Sequence, residues 1–249
     1  MQAPYSIVGR ALADHNVLFT TDGAERHKPT DIIIFSQAVA IEPYTAFLAG
    51  NHLCSMGSFS YSWSALPADS IVGRYCSIAR GVGVMGVRHP YERVSSSSFT
   101  YDGHLEIFKR AALDFKSQFR IERRIDKNET LQIGHDAWIG ANSILKRGVK
   151  IGTGSVIAGN SVVTKDVPPY TIVGGNPARV IKSRFPDELI ADLLASEWWQ
   201  YKFTDFEGLK IKDPSAFVSE LKRRVHDGLI SPYCPQALTL ETMSPRPLV

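Results

Sequence analysis

The chain has 249 residues, enough for one large domain with a sizeable core. Hydrophobic residues make up 44% and charged residues 21%, and the formal net charge is only +3, so nothing here predicts binding to nucleic acid or to a membrane surface. The three cysteines have no metal-type spacing and argue against a disulfide framework, which favours a reducing, cytoplasmic compartment.

The first fifty residues carry few local signals. The opening "MQAPYSIVGR" lacks the basic region and the apolar run of a secretory leader, so we expect none. The most aliphatic early segment, "DIIIFS" at residues 31–36, is far too short to cross a bilayer and predicts a β-strand instead. We expect no membrane insertion, and we expect residues 1–50 to cap the domain that follows.

A six-residue pattern begins at Val72, where the sequence reads VGRYCS and then IARGVG. The pattern reaches Val84 and is then lost over residues 85–131. An interruption of this length is uncommon inside a compact domain and usually has a function. We therefore expect a long inserted loop here, and its first part, "VRHPYERVSSSSF", contains a histidine, His89.

The pattern resumes at Ile133 as six consecutive hexads, IGHDAW, IGANSI, LKRGVK, IGTGSV, IAGNSV and VTKDVP. Every first position is aliphatic, and every fifth position is small or short. A period of six is neither helical nor simply alternating, and it predicts short strands separated by turns. Three such strands would close a triangular coil of eighteen residues, with the first positions stacked inside and the fifth positions at its corners.

The sequence after the hexads predicts two helices. The first follows Pro186 in "FPDELIADLLASEWW", where the apolar residues share one helical face. Those apolar residues are Leu189, Ile190, Leu193, Leu194 and Trp198. Residues 185–249 are thus predicted to form C-terminal helices and a tail.

The second predicted helix runs from about residue 213 to residue 226. Asp213 can cap its start, Pro214 suits its first position, and Gly228 follows its end. Its apolar face is predicted to consist of Phe217, Leu221 and Val225. The tail after Leu229 contains four prolines and is expected to be irregular.

The stretch at residues 133–185, above all its end "VVTKDVPPYTIVGGNPARVIKSRF", resembles the hexapeptide-repeat acyltransferases. It most resembles the xenobiotic acetyltransferases, which include the type B chloramphenicol and streptogramin acetyltransferases and their sugar-acetylating relatives. The match extends over roughly residues 53–200. It implies a mainly β fold, a left-handed parallel β-helix of hexapeptide repeats over residues 51–184, with a long inserted loop at about 85–131 and C-terminal α-helices.

The resemblance also implies a homotrimer with active sites between subunits, acetyl-CoA as co-substrate, no required metal, and a catalytic role for His89. Acetyl transfer to a hydroxyl needs the hydroxyl proton removed as the oxygen attacks. A neutral imidazole can accept that proton and pass it to the leaving thiolate. Either a carboxylate such as Glu92 or a backbone carbonyl should orient the ring. The insert is longer than the family leads us to expect, so the packing of its far half is not implied.

Cofactor positions follow from the same resemblance. In this fold the pantetheine arm runs along one corner of the coils, and the matching turn positions are Ala141 and Gly159, one coil apart. Both must stay small so that the backbone can approach the cofactor. The positions assigned to the far end of the cofactor and its phosphates are Thr164, Lys165 and Arg179. Trp138 matches a frequent tryptophan that either walls the site or packs between subunits.

Other readings remain alternatives. A zinc site like that of the β-helix carbonic anhydrases needs three histidines, yet His135 holds an outward third position and Asn142 lies where a second histidine would be needed. Covalent catalysis by Cys76 is disfavoured because its fifth hexad position indicates packing. A non-catalytic β-helix scaffold is the alternative of another class, and it predicts no binding of acetyl-CoA.

The sequence therefore predicts a cytoplasmic, trimeric, acetyl-CoA-dependent O-acetyltransferase with His89 as general base. We expect the acceptor to be a hydroxyl of a sugar or surface-polysaccharide precursor. An antibiotic hydroxyl is the alternative small-molecule acceptor, and an amine is also compatible. No nucleic-acid partner is expected.

Overall fold

The computed structural model describes residues 1–86, 88–122 and 129–243. These residues form two compact units. The coil unit comprises Met1–Val84 and the chain from Thr130 onward, and the insert comprises Met85–Glu129. The fold is mainly β with a few helices, and none of the helices within the described ranges is both long and apolar enough to cross a bilayer.

The strands are short, and most contain two or three residues. In chain order they are β1 (Gln2–Pro4), β2 (Val17–Leu18), β3 (Ile32–Phe35), β4 (Ala40–Ile41), β5 (Thr45–Phe47), β6 (His52–Leu53), β7 (Ser55–Met56), β8 (Tyr61–Ser62), β9 (Ile71–Val72), β10 (Ser77–Ile78), β11 (Gly83–Val84), β12 (Gln132–Ile133), β13 (Trp138–Ile139), β14 (Ile144–Leu145), β15 (Lys150–Ile151), β16 (Val156–Ile157), β17 (Val162–Val163), β18 (Thr171–Gly175), β19 (Ala178–Ser183) and β20 (Leu238–Thr239). The α-helices are α1 (Tyr5–Asp14), α2 (Glu106–Asp114), α3 (Asp187–Ser196), α4 (Pro214–His226) and α5 (Leu240–Met243). Short 3₁₀ helices lie at Ser98–Thr100, Trp198–Gln200 and Phe203–Phe206.

The hexads form coils of three strands. Strands β12, β13 and β14 belong to three different sheets, and β15 returns to the sheet of β12. In the parallel pairs, Ile133 is opposite Ile151, Ile139 is opposite Ile157, and Leu145 is opposite Val163. Each partner is eighteen residues farther along the chain, as the hexad pattern predicted.

The burial of the hexad residues confirms the predicted arrangement. The first positions from the resumption at residue 133 to residue 163 are at most 2% exposed, and the fifth positions from residue 137 to residue 167 are at most 5% exposed. Serine is tolerated at these buried fifth positions because its hydroxyl reaches a backbone carbonyl. Ser155 Oγ donates to Pro168 O at 2.8 Å, and Ser143 Oγ donates to Ala158 O at 3.1 Å.

The insert leaves the coil without changing its register. Val72 is opposite Ile133 and Val84 is opposite Leu145, a separation of 61 residues in the chain instead of eighteen. The ladder therefore continues after the insert in the register that it had before it. Within the insert, the structure shows the 3₁₀ turn at Ser98–Thr100 and the helix α2, neither of which the sequence analysis predicted.

The N-terminal region contributes strands to the same stacks. Ile41 pairs with Met56 and Ala46 pairs with Tyr61, both fifteen residues farther along, so the early coils are shorter and less regular than the later ones. Strands on the two sides of residue 50 are thus hydrogen-bonded to each other. The irregular spacing explains why no hexad pattern is visible in this part of the sequence.

The second C-terminal helix has the predicted bounds and cap. Helix α4 starts at Pro214, and the carboxylate of Asp213 accepts a hydrogen bond from Ala216 N at 3.1 Å. Its buried face differs in one residue from the prediction. Val218 is buried next to the expected Phe217 and Leu221, whereas Val225, in the last turn of the helix, is 39% exposed.

The tail after Leu229 is not wholly irregular, which corrects the prediction. Strand β20 pairs antiparallel with β4, so that Leu238 is opposite Ile41 at the other end of the chain. Helix α5 then packs against α1. A two-residue strand carries no local sequence signal, and its pairing depends on a tertiary contact that the prolines before it do not reveal.

The corners of the coils leave no room for a side chain at certain second hexad positions. A Cβ atom on Gly134 would lie 2.6 Å from Thr153 N, and one on Gly73 would lie 2.7 Å from His135 N. Both neighbours are backbone atoms within the stacked coils. A larger residue at either position would therefore push one coil away from the next.

We expect Gly134→Ala to destabilise the protein by about 2–3 kcal/mol, because backbone atoms cannot relax without breaking the parallel ladder. This corresponds to a fall in melting temperature of roughly 4–12 °C. Gly83→Ala is the matched control, since a Cβ there meets no atom within 4 Å, and it should melt within about 2 °C of the wild type. Equal melting temperatures for Gly134→Ala and the wild type would contradict this view of the corner.

Candidate active site

His89 lies in the insert with its imidazole exposed to solvent. Its Nδ1 is 2.8 Å from the carbonyl oxygen of Ser96. Because a carbonyl oxygen only accepts hydrogen bonds, this contact is a hydrogen bond only when Nδ1 carries the proton. In the neutral ring Nε2 then holds the lone pair, which is the arrangement that a general base requires.

The structure distinguishes between the two groups expected to orient His89. The orienting group is a backbone carbonyl, that of Ser96. The carboxylate of Glu92 instead accepts a hydrogen bond from Arg88 Nη2 at 3.1 Å. The sequence left both groups open, because Glu92 is close in the chain whereas a backbone carbonyl leaves no mark in the sequence.

The serine-rich run after His89 forms the turn that carries Ser96. Ser97 N donates to Ser95 Oγ at 3.0 Å, and the hydroxyl of Thr100 lies 2.9 Å from Ser97 O. Serine and threonine hydroxyls that bond to nearby backbone groups stabilise turns in place of regular secondary structure. The run "SSSSFT" is therefore a turn that places a carbonyl against the imidazole.

Ala141 and Gly159 are brought together at one corner of the coil unit, as the sequence predicted. Asn160 N donates to Ala141 O at 2.8 Å, and a Cβ on Gly159 would lie 3.2 Å from that same oxygen. Both residues are exposed, so the corner offers backbone to solvent with almost no side chain over it. Such a surface suits a ligand that binds through its amides.

The asparagines beside this corner have a structural role. Asn142 and Asn160 have φ angles of 57° and 58°, in the left-handed region that asparagine tolerates better than most residues. The position considered for a second zinc-binding histidine therefore carries a residue suited to the turn. Among residues 1–86, 88–122 and 129–243, no three His, Cys, Asp or Glu side chains are grouped as a metal site would require.

The other predicted cofactor residues lie on the last coils. Lys165 is exposed and Thr164 is half-buried, directly after β17. Arg179 is exposed on β19, opposite Gly174. Arg179 Nη1 donates to the neighbouring Ala178 O at 3.0 Å, and both basic side chains are exposed to solvent.

Trp138 presents its indole on the outside of the eight-stranded sheet. Its side chain is 57% exposed, and its strand lies between those of Ser77 and Val156. An indole on an open sheet face is able to contact either a ligand or another protein surface. Both alternatives that the sequence allowed, a site wall and a subunit contact, require an exposed indole of this kind.

His135 points out of the coil, as predicted, but it is covered by the C-terminal segment. Its ring stacks on Trp199 with centroids 5.0 Å apart and planes 9° apart, and its Nδ1 accepts a hydrogen bond from Arg74 N at 3.0 Å. Burial, together with the Arg74 guanidinium, lowers the pKa of His135 to about 4. This histidine is a neutral structural acceptor.

Arg74 joins the coils to the C-terminal segment and was missed by sequence analysis. It donates to both carboxylate oxygens of Glu42, at 2.6 and 2.7 Å, and its Nη1 lies near the carbonyls of Trp199 and Gln200. Tyr233 lies below its guanidinium, 5.5 Å away. These partners are far apart in sequence, so no local pattern could have predicted them.

Cys76 is fully buried, and its thiol contacts Gly134 O at 2.9 Å. Burial raises the pKa of this thiol to about 12, so it is protonated near neutral pH. A protonated, inaccessible thiol is not a nucleophile. The position fits the packing role that its hexad place indicated.

Comparison with known proteins places the repeats in a family. A family profile described as "Bacterial transferase hexapeptide (six repeats)" matches residues 131–165. A chloramphenicol acetyltransferase of Klebsiella aerogenes is 42% identical over 53% of this chain and 59% of its own length, so the chain spans less than two thirds of that relative. A probable macrolide acetyltransferase of Lysinibacillus sphaericus is 38% identical over 62% of this chain and 82% of its own length.

Among solved structures, a hexapeptide-repeat acetyltransferase of Vibrio cholerae is 28% identical to this chain. The match covers 57% of this chain and 60% of that one, with a TM-score of 0.30.

The low pKa of His135 predicts a pH-dependent stability. Between the ordinary pKa of 6.5 and the folded value of about 4, the unfolded chain binds a proton at His135 and the folded chain does not. Stability contributed by the neutral ring is therefore lost as the pH falls through this window. We expect a loss of about 1–2 kcal/mol between pH 7 and pH 5, reduced by the partial exposure of the ring.

Urea denaturation of the wild type and of His135→Phe at both pH values tests this expectation. Phenylalanine can keep the stacking on Trp199 but cannot titrate, so the variant should lose less stability than the wild type on going to pH 5. An identical loss in both proteins would show that the titrating group is elsewhere.

Proposed function

The chain belongs to the family of hexapeptide-repeat acetyltransferases, and we therefore propose that it transfers an acetyl group from acetyl-CoA to a hydroxyl of a small-molecule acceptor. His89 is the general base. The observation that supports this role is the bond between its Nδ1 and Ser96 O, which leaves Nε2 as the basic atom of an exposed ring. The non-catalytic scaffold gives no reason for such an arrangement.

In the proposed reaction, Nε2 of His89 accepts the acceptor's hydroxyl proton as the oxygen attacks the thioester carbonyl carbon. The carbonyl of Ser96 stabilises the imidazolium that forms, because it accepts a hydrogen bond from Nδ1–H. The C–S bond then breaks, and the Nε2 proton passes to the departing thiolate. The products are the acetyl ester and coenzyme A, and His89 is neutral again.

We propose that the pantetheine arm lies along the corner of Ala141 and Gly159, where two exposed small residues leave backbone groups accessible. Thr164 and the solvent-facing charges of Lys165 and Arg179 are assigned to the far end of the cofactor and its phosphates. The active assembly is proposed to be a homotrimer of left-handed coils, with Trp138 at a site wall or a subunit contact.

For the acceptor, we propose an antibiotic-like molecule with an apolar body. The relatives named above are chloramphenicol and macrolide acetyltransferases. The insert that carries His89 also contains an open pocket of about 980 Å³ with an aromatic lining that includes Phe99, Phe108 and Phe119. The sugar hydroxyl that the sequence analysis preferred gains no support from these relatives, and it stays a prediction to be tested in the same screen.

A coenzyme A release assay with chloramphenicol, a macrolide, a streptogramin, free sugars and nucleotide sugars tests the activity. We expect turnover with an antibiotic, and we expect His89→Ala to lower kcat about 100- to 10,000-fold, the range typical of general-base catalysis. The melting-temperature increase caused by acetyl-CoA should persist in this variant. His104→Ala is the matched control, an exposed histidine of the same insert, and should keep its activity.

Two results would contradict the proposal. If saturating acetyl-CoA does not shift the melting temperature of the wild type, the result favours the non-catalytic scaffold over the enzyme. If His89→Ala keeps full turnover, the base is another group.

The proposed cofactor corner makes a separate prediction. Ala141→Leu places a branched side chain on an exposed corner, so it should leave folding intact but raise the KM for acetyl-CoA at least tenfold by blocking the backbone. Thr153→Leu is the control, because Thr153 holds the same third place in its own hexad at another corner. An unchanged KM in Ala141→Leu, or an equal rise in both variants, would exclude this corner as the cofactor site.

A further inference from the structure

The ring of Tyr101 packs edge-on against the imidazole of His89, with centroids 5.3 Å apart and planes 64° apart. We propose that Tyr101 is a positioning residue that holds His89 in the orientation and tautomer required of the base. The inference rests on the proposed function for its catalytic consequence. The restraint on the imidazole ring can be measured independently of catalysis.

Tyr101 belongs to the same turn as the carbonyl that orients His89. Its backbone N donates to Ser98 O at 3.0 Å, and its hydroxyl accepts from Ser98 Oγ at 3.3 Å. Ser96 and Tyr101 thus hold the imidazole from one short segment of chain. The carbonyl of Ser96 accepts a hydrogen bond from Nδ1, and the ring of Tyr101 makes an edge-to-face contact with the imidazole.

The second contact matters because His89 is exposed. At an exposed site water can replace the Ser96 carbonyl, so this hydrogen bond alone restrains the ring only weakly. A rotation of the side chain out of this position breaks both contacts and moves Nε2 away. An edge-to-face aromatic pair shifts such an equilibrium by about 2- to 10-fold, which is enough to determine the major orientation.

Arg93 connects this turn to the far half of the insert. Its Nη1 donates to Thr100 O, the residue before Tyr101, and also to Glu122 O at 3.0 Å. The guanidinium therefore links the turn to the returning end of the insert. The length of the insert gains a physical explanation, because its second half provides an anchor for the turn that holds His89.

Kinetics of three variants test the inference. Tyr101→Ala should lower kcat about 2- to 10-fold with an unchanged KM for acetyl-CoA, because fewer molecules present Nε2 correctly. Tyr101→Phe keeps the ring and should retain kcat within about twofold. Tyr91→Ala is the matched control, since Tyr91 is 74% exposed in the same insert and stacks with Arg88 instead of His89. It should retain wild-type kcat.

A spectroscopic readout separates this inference from the proposed function. In ¹⁵N spectra of histidine-labelled protein, with the His89 signals assigned from His89→Ala, neutral wild-type His89 should be mainly the Nδ1–H tautomer. Tyr101→Ala should show an increased share of the Nε2–H tautomer. That change without any change in kcat would support the restraint and refute His89 as the base.

Two outcomes overturn the inference itself. One is an unchanged tautomer ratio in Tyr101→Ala with wild-type kcat. The other is a loss of kcat in Tyr91→Ala equal to that in Tyr101→Ala, which would reflect general disturbance of the insert.

Discussion

The coil unit depends on one constraint, that each coil places its backbone directly on the coil before it. In the regular coils the ladder bonds, such as Gly140 N to Ile157 O at 2.8 Å, align strands that are eighteen residues apart. Aliphatic first positions then fill the interior, and corner positions such as Gly134 must be small because the next backbone is in the way. The hexad pattern thus results from backbone packing and not from the needs of the proposed reaction.

This constraint explains how a long insert is tolerated. Register is set locally, by the bonds of each coil to its neighbours, so the chain leaves after Val84 and resumes at β12 in unchanged alignment. The two parts of the proposed machinery then have different physical origins. The corner of Ala141 and Gly159 results from backbone stacking, whereas the orientation of His89 results from a turn made by serine and threonine hydroxyls.

The parts of the structure that sequence could predict are those with a local or periodic cause. The hexad spacing predicts the eighteen-residue pairing, the buried first positions and the meeting of Ala141 with Gly159. The cap at Asp213 has a local cause. The missed features depend on groups that are distant or that leave no pattern. Trp199, which covers His135, belongs to the distant C-terminal segment. The group that orients His89 is the backbone carbonyl of Ser96, and because every residue type has such a carbonyl, no sequence pattern reveals it.

The central claim, that the neutral imidazole of His89 is the base, is tested most directly by chemical modification. Diethyl pyrocarbonate acylates unprotonated imidazole nitrogens, and peptide mass spectrometry can follow each histidine separately. The account predicts that loss of acetyl transfer parallels modification of His89 and is reversed by hydroxylamine, while the covered His135 reacts more slowly. Full modification of His89 with undiminished turnover would contradict it.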